Sequence, residues 1–241
     1  MKPLLNFFLV LSVIVALPAQ VLAQVMDVAK PPTTAHYFDP ATIDVKTLLP
    51  NPPAVGSPEN QKEIDVVLAD QKTRTPADVA RAKSEVKLDV FAFTDPLGPW
   101  FTAKNLPGTA AFFKKITDDV HTVTDAAKKD WARPRPYLQD KGIQPAIDLE
   151  KSDSYPSGHA TRGMVYALVL AQLLPDEKDA ILARGAQIGD DRVLGGVHFP
   201  SDVAAGQTLA KAIFDDLMAS ADFQKDLAAE KTELTAASAK K

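Results

Sequence analysis

Three short blocks hold the side chains of this 241-residue sequence that are best suited to chemistry on an anion. The first runs from Lys128 through Trp131, Arg133 and Pro134 to Arg135-Pro136, the second is Tyr155-Pro156-Ser157-Gly158-His159, and the third begins at Arg192 and includes His198 and Asp202. As patterns they read K-x6-R-P, P-S-G-H and R-x5-H-x3-D. A phosphoryl group is a compact dianion whose equatorial oxygens need neutralising as a transition state forms, and guanidinium groups do this with planar, paired donors. Lys128, Arg135 and Arg192 can supply three such cations. Pro134 and Pro136 break helical continuity after Lys128, so Arg135 can turn back toward the lysine.

The second block opens a long apolar run, and a helix start offers free backbone N–H groups and a positive dipole end to an anion. Gly158 allows close backbone approach there, and Ser157 can either cap the helix or bond a phosphate oxygen. His198 stands four residues before Asp202. If a helix begins between them, the carboxylate can bond one ring nitrogen and leave the other unprotonated to attack phosphorus. His159 is then the second titrating group, suited to protonating a leaving oxygen and later activating water.

Together the blocks resemble the signature of the phosphatidic acid phosphatase type 2 superfamily, which joins bacterial class A nonspecific acid phosphatases, membrane lipid phosphatases and vanadium haloperoxidases. The matching residues are Lys128, Arg135, Pro136, Pro156, Ser157, Gly158, His159, Arg192, His198 and Asp202. An apolar N-terminal segment, the chain length and the stretch from Leu48 to Pro58 resemble the class A enzymes in particular. The resemblance implies a helical fold, a phosphohistidine on His198, phosphate held by Lys128, Arg135, Ser157, Gly158 and Arg192, and broad activity on phosphomonoesters. Only four histidines exist and no HExxH or comparable ligand set appears, so no metal and no cofactor is expected. One position departs from the resemblance: that family usually has Ser before the arginine of the third block, and this chain has Asp191, whose carboxylate would repel phosphate unless it turns away toward Arg184 or another base.

The elements that must position these groups read as helices. Phe112, Phe113, Ile116, Val120, Val123 and Ala127 recur at spacings of three and four, an amphipathic stripe that places Lys128 at its C-terminal end. Gly158 to Leu174 is nearly continuously apolar and is stopped by Pro175. Helices are also predicted over Asn60–Gln71, from Pro76 toward Leu88 behind a Thr75 cap, over Asp176–Gln187, and from about Ser201 through Leu217. No alternating strand pattern competes, so the expectation is an all-α fold with one compact helical domain over residues 59–234. Residues 24–58, rich in proline, read as an extended arm, and residues 235–241 as a fraying tail.

Residues 1–23 read as a secretory signal peptide: Lys2, an apolar run from Leu4 to Leu17, and small residues before a cleavage at Ala23. Pro18 and Gln20 interrupt that run, and no later stretch approaches the roughly 20 apolar residues of a spanning helix. The expected location is periplasmic or secreted, without a membrane span. A formal net charge of −4 gives no electrostatic case for a nucleic acid polymer as partner. Cysteine is absent, which excludes thiolate metal sites and cysteine nucleophiles. The expected partner is a small phosphomonoester, and a homo-oligomer is compatible with the sequence.

The expected function is therefore an exported, metal-independent acid phosphatase of broad specificity. Two alternatives use the same residues: a vanadate-dependent haloperoxidase, and a non-catalytic periplasmic phosphate-binding protein. Against the second stands the histidine pair, since binding alone needs cations and no nucleophile. Taken singly, the remaining polar residues have plainer readings. His36 and His121 read as surface or structural, Arg133 and Arg162 as solvated or salt-bridged, Trp131 as packing, and the pairs Asp118-Asp119 and Asp190-Asp191 as solvated helix faces.

Overall fold

The computed structural model describes residues 35–239, and among these every regular element is a helix. The signal peptide expected over residues 1–23 lies outside the described residues. Seven helices exceed two turns: α1 (Pro58–Thr73), α2 (Pro76–Ser84), α3 (Pro107–Trp131), α4 (Gly158–Leu173), α5 (Lys178–Leu194), α6 (Pro200–Ala219) and α7 (Ala221–Ser238). Proline occupies the first turn of α1, α2, α3 and α6, where its missing N–H costs nothing and its fixed φ suits the helix. Ser57 caps α1, and Thr75 and Asp78 form a reciprocal capping box at α2.

α4 is the central helix, with Ala160, Val165, Ala167, Val169 and Leu170 wholly buried. It packs most extensively on α5 and α6, and also on α3 and α7. The α4–α5 contact depends on small residues. A Cβ at Gly185 would stand 2.5 Å from Ala167 Cβ and 3.1 Å from the Gly163 carbonyl, so only glycine admits this approach. A Cβ at Gly206 on α6 would lie 2.6 Å from the Ser157 carbonyl, at the mouth of α4. These close approaches draw the start of α4, the end of α5 and the start of α6 to one point.

α3 buries the expected stripe of Phe112, Phe113, Ile116, Val120, Val123 and Ala127, and the same face ends in buried Lys128. Ala132 closes the helix in the left-handed region, at φ 43°, with its N–H bonded to the Lys128 carbonyl at 3.1 Å. The chain thereby reverses, and Arg133 and Arg135 return under the helix end.

Several expectations differ from the structure. The predicted Asp176–Gln187 helix is a 3-10 turn over Pro175–Glu177 followed by α5, which continues to Leu194. Gly189 and the Asp190-Asp191 pair resemble a stop signal, but Gly189 is the point where Ala160 and Val203 close on α5, and Asp191 is neutralised by a base. α2 ends at Ser84, short of Leu88. The proline-rich stretch is not wholly extended: Asp39 caps a 3-10 turn over Pro40–Thr42 and Asp44 caps a helical turn over Val45–Leu48. The chain after Leu234 stays helical to Ser238.

The described part of that stretch is anchored firmly. Tyr37 lies between Phe112 and Phe223, with ring centroids 6.3 and 5.3 Å away, and its hydroxyl donates to Asp226 at 2.8 Å. Asp119 is not on a solvated face: it is buried and accepts the backbone N–H groups of His36 and Tyr37 at 2.6 and 3.1 Å. Trp131 packs on Tyr155, and the two donate to Asn51 and to the Pro50 carbonyl at 2.9 and 2.5 Å.

Candidate active site

The three sequence blocks converge where α3 ends and where α4 and α6 begin. Asp202 is the third residue of α6 and accepts the Phe199 backbone N–H at 2.8 Å, fixing its carboxylate at the helix start. That places Asp202 Oδ2 3.2 Å from His198 Nδ1, while His198 Nε2 faces Arg135 Nη1 at 3.1 Å. Arg135 can only donate, so Nε2 is the accepting, unprotonated nitrogen and Nδ1 carries the hydrogen. Burial pushes His198 down to about 4; its bond to Asp202 opposes the shift and Arg135 adds to it. At neutral pH the ring is uncharged.

Asp202 has more donors than His198 alone. Arg133 Nη1 bonds Oδ1 at 2.6 Å and Ser154 Oγ bonds Oδ2 at 2.5 Å. Burial alone would raise this carboxyl, but His198 and Arg133 hold it down to about 2. Arg133 also reaches Glu63 at 2.6 Å, and its guanidinium stacks 4.0 Å above the Phe199 ring.

Arg135 and Arg192 are fully buried at 1% and 0% exposure, a cost accepted only where a counter-ion is supplied. Glu150 supplies it: Oε2 accepts from Arg135 Nη2 at 2.7 Å and Oε1 from Arg192 Nη2 at 2.5 Å. His159 Nδ1 lies 3.5 Å from the same Oε1, and its Nε2 faces the Val86 carbonyl at 3.3 Å. Burial, then Arg192 and Arg162, push His159 well below its ordinary value. Burial alone would raise Glu150, yet Arg135, His159, His198 and Arg192 outweigh it and hold the carboxyl far below the usual range. Lys128 is pushed down to about 8 by burial and by Arg135, and its ammonium donates to the Asp153 carbonyl at 2.5 Å.

Ser157 acts as the cap of α4, its hydroxyl accepting the Ala160 N–H at 3.3 Å. Beyond its own helix and chain neighbours, a Cβ at Gly158 would meet no atom of the described residues within 4 Å, so the glycine leaves an open face at the helix start. Asp191 is turned away from the cage, as the sequence allowed, but its principal partner is Arg81 rather than Arg184. Arg81 donates to both carboxylate oxygens at 2.8 and 2.7 Å, and Arg184 stands 3.9 Å away. Among the described residues no group of three or more His, Cys, Asp or Glu side chains is placed to hold a metal ion.

Residues 110–215, which contain every residue of this cage from Lys128 to Asp202, match the family model described as PAP2 superfamily. A non-specific acid phosphatase of Providencia stuartii is 31% identical, over 86% of this chain and 87% of its own. The chain belongs to the PAP2 superfamily. An acid phosphatase of Zymomonas mobilis is 30% identical over 86% of this chain and 80% of that protein. A bacterial vanadium-dependent iodoperoxidase shares the PAP2 fold at a TM-score of 0.56 and 14% identity, over 74% of this chain and 54% of that one. Phosphatase chemistry is what these relationships support for this PAP2 chain. No helix among the described residues is long and apolar enough to cross a membrane.

The sequence missed three groups of this PAP2 site. Arg133 is salt-bridged, as read, but wholly inside the cage. Ser154 has no motif position, although it immediately precedes Tyr155-Pro156. Glu150 lies in a stretch without periodicity, where Asp140, Asp148 and Asp153 are equally acidic, so the sequence does not single it out.

Proposed function

We propose that this chain is an acid phosphatase that hydrolyses phosphomonoesters through a phosphohistidine on His198. The observation that carries the reading is the His198 ring, whose Nδ1 is committed to Asp202 and whose lone pair on Nε2 points into a cage of buried cations. In the first step Nε2 attacks phosphorus, the N–P bond forms and the P–O bond to the leaving group breaks. The new positive charge on the ring is met by the Asp202 carboxylate. Lys128, Arg135 and Arg192 neutralise the equatorial oxygens, with the open N–H groups at Gly158 beside them. His159 protonates the leaving oxygen. A substrate dianion brought against His159 raises its proton affinity, offsetting the depression by burial, Arg192 and Arg162. In the second step water gives a proton to His159 and attacks phosphorus, the N–P bond breaks and inorganic phosphate leaves.

The acid phosphatase relatives support this reading over a haloperoxidase, and the retained His198–Asp202 pair supports it over a pure phosphate binder. Charge neutralisation rests on the chain's own cations, so turnover should persist in EDTA, and loss of activity restored by one divalent ion would overturn that. Export rests on residues 1–23, and a mature N-terminus at Gln24 by mass spectrometry would establish it. Rapid quench with phosphorus-labelled substrate tests the mechanism. His198→Ala should lose turnover and all acid-labile label, whereas His159→Ala should lose roughly a hundred- to ten-thousand-fold on alkyl phosphates and much less on p-nitrophenyl phosphate. Label trapped on His198→Ala, or equal losses on both substrates, would reverse the assignment.

A further inference from the structure

We propose that Glu150 is a built-in occupant of the phosphate site, which a substrate phosphoryl group must displace before it can bind. The inference rests on the phosphatase reading above and adds to it a competitor carried by the chain itself. Glu150 takes one partner from each of the three sequence blocks: Arg135 at 2.7 Å, Arg192 at 2.5 Å and His159 at 3.5 Å. A carboxylate bridging two guanidinium groups uses the same planar donors that an O–P–O edge would use. A phosphoryl dianion drawn to the same two guanidinium groups would stand beside a carboxylate of like charge, so the two compete for the place.

Two further observations separate an occupant from a structural counter-ion. The cage holds more donors than a carboxylate can satisfy. Among the described residues Arg192 Nε and Nη1 are buried without a hydrogen-bond partner, while Nη2 bonds Glu150. Orphaned buried donors are costly, and a tetrahedral group with three non-bridging oxygens brings the acceptors that a two-oxygen carboxylate lacks. The carrier of Glu150 also has somewhere to go. Residues 140–157 contain turns and bends but no helix, and the preceding Leu149 is 61% exposed. The Glu150 side chain itself is 28% exposed, unlike the 0% of Arg192 and His198. The neighbouring backbone stays anchored, with the Tyr137 hydroxyl on the Glu150 carbonyl at 3.0 Å and Arg135 Nε on the Ser152 carbonyl at 2.7 Å. A rotation of the side chain toward solvent thus empties the cage without unfolding the segment.

The test is calorimetric titration of inorganic phosphate into the wild-type chain, Glu150→Gln and Glu150→Ala, with kinetics on p-nitrophenyl phosphate alongside. An occupant that fills the site most of the time lowers apparent affinity by the fraction of time it is absent. Both variants should therefore bind phosphate on the order of tenfold more tightly, with a matching fall in KM. Affinity that is unchanged or weaker in both would overturn the proposal and make Glu150 a brace for the two arginines. A crystal structure of the wild-type protein soaked in phosphate gives an answer independent of either variant folding: phosphate on Arg135 and Arg192 with the Glu150 side chain turned to solvent is expected, and phosphate bound with Glu150 still on both arginines would contradict displacement. The two readings fail separately. A wild type that turns over while the variants show no tightening keeps the phosphatase and removes the occupant. Tightening in the variants, where the wild type hydrolyses no phosphomonoester, does the reverse.

Discussion

Asp202 bonds the Nδ1 side of His198, Glu150 pairs with the Arg135 that faces Nε2, and the two carboxylates are held in opposite ways. Asp202 is fully buried at the first turn of α6, with donors from His198, Arg133, Ser154 and the Phe199 backbone, and its wall is closed by glycine contacts between α4, α5 and α6. Glu150 is partly exposed on an irregular segment, and among the described residues its carboxylate meets Arg135, Arg192 and His159, the side chains proposed to receive phosphate. Both carboxylates meet a histidine and an arginine, so chemistry alone does not distinguish them. What distinguishes them is the backbone beneath. The carboxylate on the packed helix start is fixed in place, and the one on the loop is the one proposed to exchange.

The comparison breaks most readily at Arg133, the base that ties Asp202 to Glu63. Removing one partner of a buried pair strands the other, so Arg133→Gln should destabilise the fold by about 3–5 kcal/mol and lower kcat more than it changes KM. Urea unfolding and steady-state kinetics on the variant check both, and an unperturbed kcat would mean that Asp202 holds His198 without help. Second comes His198, whose folded value of about 4 lies below its ordinary 6.5. The unfolded chain then binds more protons across that window, so the stability contributed by the neutral ring is complete above pH 6.5 and is lost as pH falls to about 4, on the order of 3 kcal/mol. An NMR titration of the ring nitrogens should find the Nδ1–H tautomer persisting to about pH 4, and a midpoint near 6.5 would break the assignment. The third and smallest effect sharpens the contrast between packed wall and loop. Gly206→Ala drives a methyl against the Ser157 carbonyl and should cost about 1–3 kcal/mol, whereas Leu149→Ser on the exposed loop should stay within about 0.5 kcal/mol. Equal thermal shifts in the two variants would remove the distinction.

How much of this was legible in the sequence follows the same division. Groups in fixed local spacing could be read: His198 and Asp202 because four residues across a helix start bring them together, and Lys128 because it ends an apolar stripe. Asp191 was readable in principle, since adjacent residues on a helix point about 100° apart and Arg192 could not enter the cage with its neighbour. The glycine contacts were hidden, because Gly185 and Gly189 weaken a helix on propensity and show their use only against Ala167 and Ala160. Arg133 was visible as a charge, but its partner is 69 residues away. Glu150 was invisible because nothing local in the sequence specifies the course of residues 140–157.

The seating of Tyr37 bears on the order in which the molecule can be completed. Its hydroxyl bonds Asp226, 189 positions later, and its ring rests on Phe223 of the last helix. A chain delivered N-terminus first presents this tyrosine early, yet the surface that receives it does not exist until α7 has emerged. The earliest described segment is therefore among the last to dock. Closing so large a loop is slow relative to local helix formation. Until α7 is free of whatever delivers it, the earlier helices can form but the clasp on Tyr37 cannot.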